Sequence, residues 1–382
     1  MDFRPIIAIT MGDAAGVGPE IVVRALAPRK TGAVPPSLPG RGRGRVDSRI
    51  RTTTPSPALP LVGGGSKELY ALCRPLVVGD TGVLAQAQQM LGLGGTLNPV
   101  ADVGSGRFEP GSIDVLDLAN IDLASLKVGE VSAMAGRAAV EYVLKAGELA
   151  LAGEVQGIAT APLNKEATQL GGYDYIGHTE ILADLAGVPR CTTMLISGSL
   201  RVVHVTRHIP LRQVAESITR ERVLETILLT AEGLPAMAVV EPRLGVAALN
   251  PHGGEEGGLL GREEIEEIAP AVEAAQARGI DARGPYPADS IFFRAIAGEF
   301  DAVVAMYHDQ GHIPVKTHGF ESSLTVTLGL PIVRTSVDHG TAFDIAWQGD
   351  KQSGVSEAAL ANPQSLIEAI KLATEMARRV GV

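Results

Sequence analysis

Residues 300–311 read FDAVVAMYHDQG, a largely apolar run over 300–306 that stops abruptly at Tyr307-His308-Asp309-Gln310-Gly311. A short apolar run closed by polar residues fits a strand covered on both faces, as in a parallel sheet. Three more runs repeat the design. Residues 157–160 lead into Ala161-Pro162-Leu163-Asn164-Lys165, 200–206 into Arg207-His208, and 244–249 into Asn250-Pro251-His252. Nearer the start, 5–10 and 75–79 read as strands, and 11–18 is a glycine-rich turn opening a helix over 19–26. Segments of helical period lie between them. These are 83–91, 132–151 with Ser132 as cap, and the closing 363–380, whose Arg378 and Arg379 suit a carboxyl end. Strands alternating with helices predict a doubly wound α/β fold with a mostly parallel sheet.

The composition bounds what such a fold serves. The chain has 382 residues, 45% apolar and 20% charged, enough for two domains or one large unit with a real core. A net charge of −10 argues against nucleic acid or an anionic membrane as the main partner. Cys73 and Cys191 cannot build a disulfide framework. The opening MDFRPIIAIT lacks a secretory pattern and no run is long and apolar enough to span a bilayer, so a cytoplasmic protein is expected. Residues 28–66, including GRGRGRVDSRIR and TTTPSPALP, break the pattern and read as a disordered insertion with no core of its own. Helical sequence resumes at 67–72 as though continuing 21–26.

In open α/β sheets, ligands bind beyond the carboxyl ends of the strands. Three strand ends here each deliver one histidine: His208, His252 and His308. Three neutral imidazoles meeting at a point would hold a divalent metal with open positions, polarising a hydroxyl or carbonyl. Asp309 and Asp289 fit as partners that orient such an imidazole, and equally as loop caps. His178, in Tyr175-Ile176-Gly177-His178-Thr179-Glu180, precedes an apolar helix that Thr179 could cap and whose amino end suits an anion. Lys165, Lys316 and Arg334 are cations near tight turns, suited to phosphate or carboxylate and equally to an ordinary surface. His204 reads as packed within its strand, while His312 and His318 lie nearby with no assigned role. After a short strand over 331–334, the small residues of 335–342 would let backbone amides reach a pyrophosphate or adenosine. The turn Gly12–Gly18 lacks the G-x-G-x-x-G spacing, so a classical Rossmann domain is not expected.

In chain order the motifs MGDAAGVGPE, TAPLNKEA, GHTE, TRHIPL, NPHGGE, GPYPADS, YHDQGHIPVK and TLGLPIVRTSVDHGTA resemble the 4-hydroxythreonine-4-phosphate dehydrogenase family over essentially the whole chain except 28–66. The resemblance implies an isocitrate/isopropylmalate-dehydrogenase-like fold of two α/β domains with a cleft between them. Residues 1–127 plus 320–382 would form the cofactor side, and 128–319 the substrate, metal and dimerisation side. It also implies a homodimer with a shared active site, NAD or NADP, and one divalent metal ion (Zn, Mn, Co, Ni or Mg). The metal ligands would be His208, His252 and His308; the substrate contacts His178, Thr179, Lys316, Thr325 and Arg334. Lys316 and His178 would be catalytic, and Asp338, His339, Gly340, Thr341 and Ala342 would hold the cofactor. The implied reaction is oxidation and decarboxylation of a four-carbon 3-hydroxy acid 4-phosphate in pyridoxal phosphate biosynthesis.

Three departures bear on the substrate. Thr325 stands where the biosynthetic enzyme usually has Asn, Gly311-His312-Ile313 replaces an apolar turn, and Leu163-Asn164-Lys165 replaces a different loop. These features are similar to the catabolic branch acting on D-threonate or D-erythronate 4-phosphate. A metal-dependent phosphohydrolase using the same histidines is the alternative from another class.

Overall fold

The computed structural model describes residues 4–28, 66–255, 257–348 and 361–381. Apart from Pro28 and Ser66, the expected insertion lies outside the described residues. The first half of the chain supplies strands β1 (Ile6–Thr10), β2 (Arg74–Gly79), β3 (Thr96–Val100), β4 (Ser112–Asp117) and β5 (Gly157–Thr160). The second half supplies β6 (Thr192–Ser197), β7 (Leu200–His204), β8 (Arg243–Ala247), β9 (Asp281–Tyr286), β10 (Ala302–Ala305), β11 (Leu324–Leu328) and β12 (Arg334–Val337). They form one sheet in the order β3-β4-β2-β1-β5-β12-β11-β6-β7-β10-β8-β9.

The sheet is mostly parallel, as the sequence predicts. β3, β4, β2, β1, β5 and β12 pair in parallel, and so do β7, β10, β8 and β9. Three successive antiparallel pairs, β12 with β11, β11 with β6 and β6 with β7, join the two blocks. The second block therefore runs opposite to the first. The strands that precede His208, His308 and His252 are neighbours, β7, β10 and β8. β5 belongs to the other block, where it lies between β1 and β12.

Helices α1 (Gly18–Leu26), α2 (Ser66–Leu72), α3 (Thr81–Met90), α4 (Ala133–Leu151), α5 (Lys165–Leu170) and α6 (His178–Ala186) follow the early strands. They are followed by α7 (Val214–Ser217), α8 (Arg220–Gly233), α9 (Ala269–Gln276), α10 (Ala288–Ile296), α11 (His308–Gly319) and α12 (Gln364–Val380). Ser132 caps α4 as expected, its hydroxyl accepting from the Ala135 N–H at 3.2 Å. α12 packs on β5 and β12 with most of its residues buried, and its buried Lys371 is paired with Glu68 and Glu368. No described helix is long and apolar enough to cross a membrane.

α4 and α5 meet at Gly136. A Cβ there would lie 1.9 Å from the Ala167 carbonyl oxygen and 2.1 Å from its carbon, so backbone would have to move. Gly136→Ala is expected to cost about 3 kcal/mol, because overpacking at a backbone contact has no soft side chain to yield. A drop in the denaturation midpoint at constant m would show it; an unchanged midpoint would mean that the helices part freely.

Two local expectations need correction. The sequence places a strand at 331–334 and a loop from 335, but β12 runs from Arg334 to Val337 and the loop starts at Asp338. Thr335 and Ser336 look like loop residues, yet both are buried and hydrogen-bonded, Thr335 Oγ1 to the Ala369 carbonyl and Ser336 Oγ to that of Thr160. His308 is not on a loop either: it is the first residue of α11, whose Gly311, Pro314 and Gly319 disguise the helix.

Candidate active site

Between the two blocks lies a cavity of about 420 Å³ whose wall includes His178, Thr179, Glu180, Arg207, His208, His312, Thr325, Arg334 and Asp338. Beside it, a second hollow of about 570 Å³ is lined by His308, Asp309, His312, Lys316 and Asp338. His312 and Asp338 face both.

Arg334 enters the cavity from the start of β12 and is only 3% exposed. Its Nη1 and Nη2 donate to the hydroxyls of Thr327 (3.0 Å) and Thr160 (2.7 Å), while Nε has no partner among the described residues. Burial lowers its pKa to about 9, opposed by the charge of Glu180. A guanidinium held by hydroxyls rather than by a carboxylate keeps its charge available to an incoming anion.

The amino end of α6 faces the same space. Its N-cap is Gly177, and no side chain caps it. Thr179 is therefore not the cap expected from the sequence; it sits inside the first turn with its hydroxyl 3.4 Å from that of Thr193. An uncapped first turn presents free N–H groups and the positive end of the helix. His178 Nε2–H donates to the Ala161 carbonyl at 3.1 Å. Burial, then the charge of Arg334, lowers its pKa well below the usual histidine value, so it is neutral.

On the other wall the imidazoles form a column. His312 stacks on His308 with centroids 3.6 Å apart and planes 11° apart, and the His308 ring is 6.0 Å from that of His208. Beneath them His204 is buried, as expected, 4.7 Å from His312, with neither ring nitrogen hydrogen-bonded among the described residues. The contact needs glycine at 311, where a Cβ would come within 2.2 Å of His204 Nε2. His308 Nδ1–H donates to Asp309 Oδ1 at 2.7 Å, leaving Nε2 with its lone pair free for a ligand. Burial, and then Arg207, lowers the pKa of His208, favouring the neutral imidazole that binds metals.

Two imidazoles are thus fit to hold a divalent ion, but the expected third is elsewhere. His252 lies on the exposed turn after β8 with φ 54°, lining neither hollow. Among the described residues, no group of three or more His, Cys, Asp or Glu side chains could hold a metal within one chain. Asp289 is exposed in the first turn of α10. Lys316 Nζ lies 3.7 Å from Asp338 Oδ2 and donates to the Asp338 carbonyl at 3.2 Å.

The residues expected to hold a cofactor continue from Asp338. Thr341 is buried and its carbonyl accepts from the Val17 N–H at 2.9 Å, so this loop packs against the Gly12–Gly18 turn. Gly340 is exposed, with open space where a side chain would be; His339 Nε2 is buried without a partner among the described residues, and Ala342 has φ 43°. In the facing turn, Asp13 Oδ1 accepts from the Ala15 N–H while Oδ2 is buried and unpaired among the described residues, and burial raises its pKa to about 6. The native state therefore binds this proton more tightly than the unfolded chain. Its stabilising contribution is complete below the unfolded value of 3.8 and is lost as pH rises through 6. Between pH 4 and pH 7 the wild type should lose about 2 kcal/mol relative to Asp13→Asn. Denaturation midpoints of both proteins at the two pH values check this; parallel changes would contradict it.

Sequence reasoning did not single out Arg207, Glu180, Thr193 or Ser336 as parts of one cavity. The four-residue spacing of His308, His312 and Lys316 was the available signal that they share a helix face.

A family model described as "Pyridoxal phosphate biosynthetic protein PdxA" matches residues 71–373. The chain is 44% identical over 356 residues to "Putative D-threonate 4-phosphate dehydrogenase" of Symbiobacterium thermophilum, covering 93% of this chain and 94% of that protein. It is 42% identical over 381 residues to the 4-hydroxythreonine-4-phosphate dehydrogenase of Desulforapulum autotrophicum, covering 100% and 98%. The crystal structure of a 4-hydroxythreonine-4-phosphate dehydrogenase from Burkholderia phymatum superimposes with a TM-score of 0.75 at 42% identity, over 98% of this chain and 99% of that one. With sequence and fold agreeing across nearly the whole length, the chain belongs to the PdxA family, whose named relatives here are dehydrogenases.

Proposed function

We propose that this protein is an NAD- or NADP-linked dehydrogenase that oxidises and decarboxylates a four-carbon 3-hydroxy acid 4-phosphate, with 4-phosphohydroxy-L-threonine as first substrate. The observation that carries this reading is Arg334, a buried guanidinium without a carboxylate partner, sharing a cavity with the uncapped end of α6 and with His208. Arg334 and the α6 amides hold the phosphate, and remote binding becomes orientation at C3. His178, neutral and fixed by the Ala161 carbonyl, keeps that orientation from its other ring nitrogen. Lys316, set by Asp338, donates from Nζ to the C3 oxygen as that oxygen takes up negative charge. Residues 338–342 would hold the nicotinamide nucleotide, which would accept the hydride. His208 and His308 would hold a divalent ion, with His252 completing the set across a homodimer, and such an ion would supply Lewis-acid polarisation of the substrate oxygen.

A second reading, D-threonate or D-erythronate 4-phosphate as substrate, is favoured by Thr325, whose short hydroxyl lines the cavity. Purified protein with a divalent metal, assayed by NADH or NADPH absorbance on all three phosphates, tests both. Turnover of the amino acid supports the first reading, and turnover of the sugar-acid phosphates alone supports the second. Turnover of none would refute the dehydrogenase.

A further inference from the structure

We infer that Arg207 is a second anion-holding residue of this cavity, positioning the substrate's carboxylate while Arg334 and the amino end of α6 take the phosphate. The inference rests on the reading of the substrate as a four-carbon acid phosphate. Every other cation of the two hollows has a partner within the protein. Arg334 donates to two threonines, Lys316 is held by Asp338, and Arg222 donates to the Ser217 carbonyl at 3.3 Å. Among the described residues the Arg207 guanidinium has neither a hydrogen bond nor an ion pair within 4.0 Å, although it is half-buried in the cavity wall. A guanidinium in a cavity wall with no protein partner keeps its fork of donors for a ligand. Burial lowers its pKa, opposed first by the charge of Glu180.

The charge balance points the same way. The cavity wall carries Arg207, Arg222 and Arg334 against Glu180 and Asp338, and Asp338 is spoken for by Lys316. Among the described residues Glu180 is the carboxylate whose charge acts on both Arg207 and Arg334, and it cannot neutralise both. A ligand with two anionic ends restores the balance. A tetrahedral phosphate suits a helix end, where several N–H groups converge, whereas a planar carboxylate suits the fork of a guanidinium. Arg207 also immediately precedes His208, so a carboxylate on it lies beside the imidazole wall where C2 and C3 react.

The experiment titrates the metal-loaded full chain calorimetrically with three probes: inorganic phosphate, D-threonate 4-phosphate and D-threitol 4-phosphate, which lacks the carboxylate. In Arg207→Gln, D-threonate 4-phosphate should bind on the order of 30-fold more weakly. Inorganic phosphate and the threitol phosphate should bind as in the wild type, which also shows that the variant is folded. Arg207→Lys should recover part of the loss, and in turnover KM should rise more than kcat falls. Equal weakening of all three probes would place the phosphate on Arg207 and overturn the assignment, as would no weakening of any. Wild-type protein that discriminates the carboxylate through Arg207 yet forms neither NADH nor NADPH would refute the dehydrogenase while upholding this inference.

Discussion

Replacing Arg334 with methionine is expected to lower kcat/KM on the preferred acid phosphate by about a thousandfold while the protein stays folded. The size follows from burial: the guanidinium is 3% exposed, so no water can take over its role toward a bound phosphate. The fold survives because no carboxylate is left behind; the groups stranded are the hydroxyls of Thr160 and Thr327, each able to turn to another acceptor. Arg334→Lys should recover only part of the rate, since a single ammonium cannot reach both threonines and the ligand together. Inorganic phosphate binding is the companion measurement. A methionine variant that binds phosphate like the wild type would remove Arg334 from the anion site.

His208→Ala is expected to abolish turnover, by on the order of a thousandfold or more, and to reduce bound metal in the same preparation. The ring is held near His308 by two neighbouring parallel strands, and alanine removes one of the two imidazoles that this chain brings together. His252→Ala should behave alike if the third ligand comes from a second copy, although this residue lies outside both hollows of one chain. Metal content after dialysis and turnover are read together. Full activity with metal content unchanged in the His208 variant would rule out its role as ligand.

Much of the fold is legible in the sequence because buried parallel strands are short apolar runs, and 157–160, 75–79 and 5–10 stand out against polar flanks. β12 was harder, since Thr335 and Ser336 are polar residues whose hydroxyls are satisfied only by partners distant in sequence. α11 is hidden in the sequence because glycine and proline inside it mimic a loop, while its site residues keep helical spacing. Strand-end reasoning reached His208 and His308, which the fold brings together, and His252, which one chain leaves apart. Arg207 carries no sequence signal beyond its place before His208, because a partnerless guanidinium can be recognised only once its surroundings are in place.

The most direct measurement follows NADH or NADPH, CO2 and inorganic phosphate together in one reaction of the metal-loaded enzyme with a four-carbon 3-hydroxy acid 4-phosphate. Reduced nucleotide and CO2 formed in equal amounts, with no phosphate released, is the expected result. Phosphate release without reduced nucleotide would contradict it and make the protein a hydrolase.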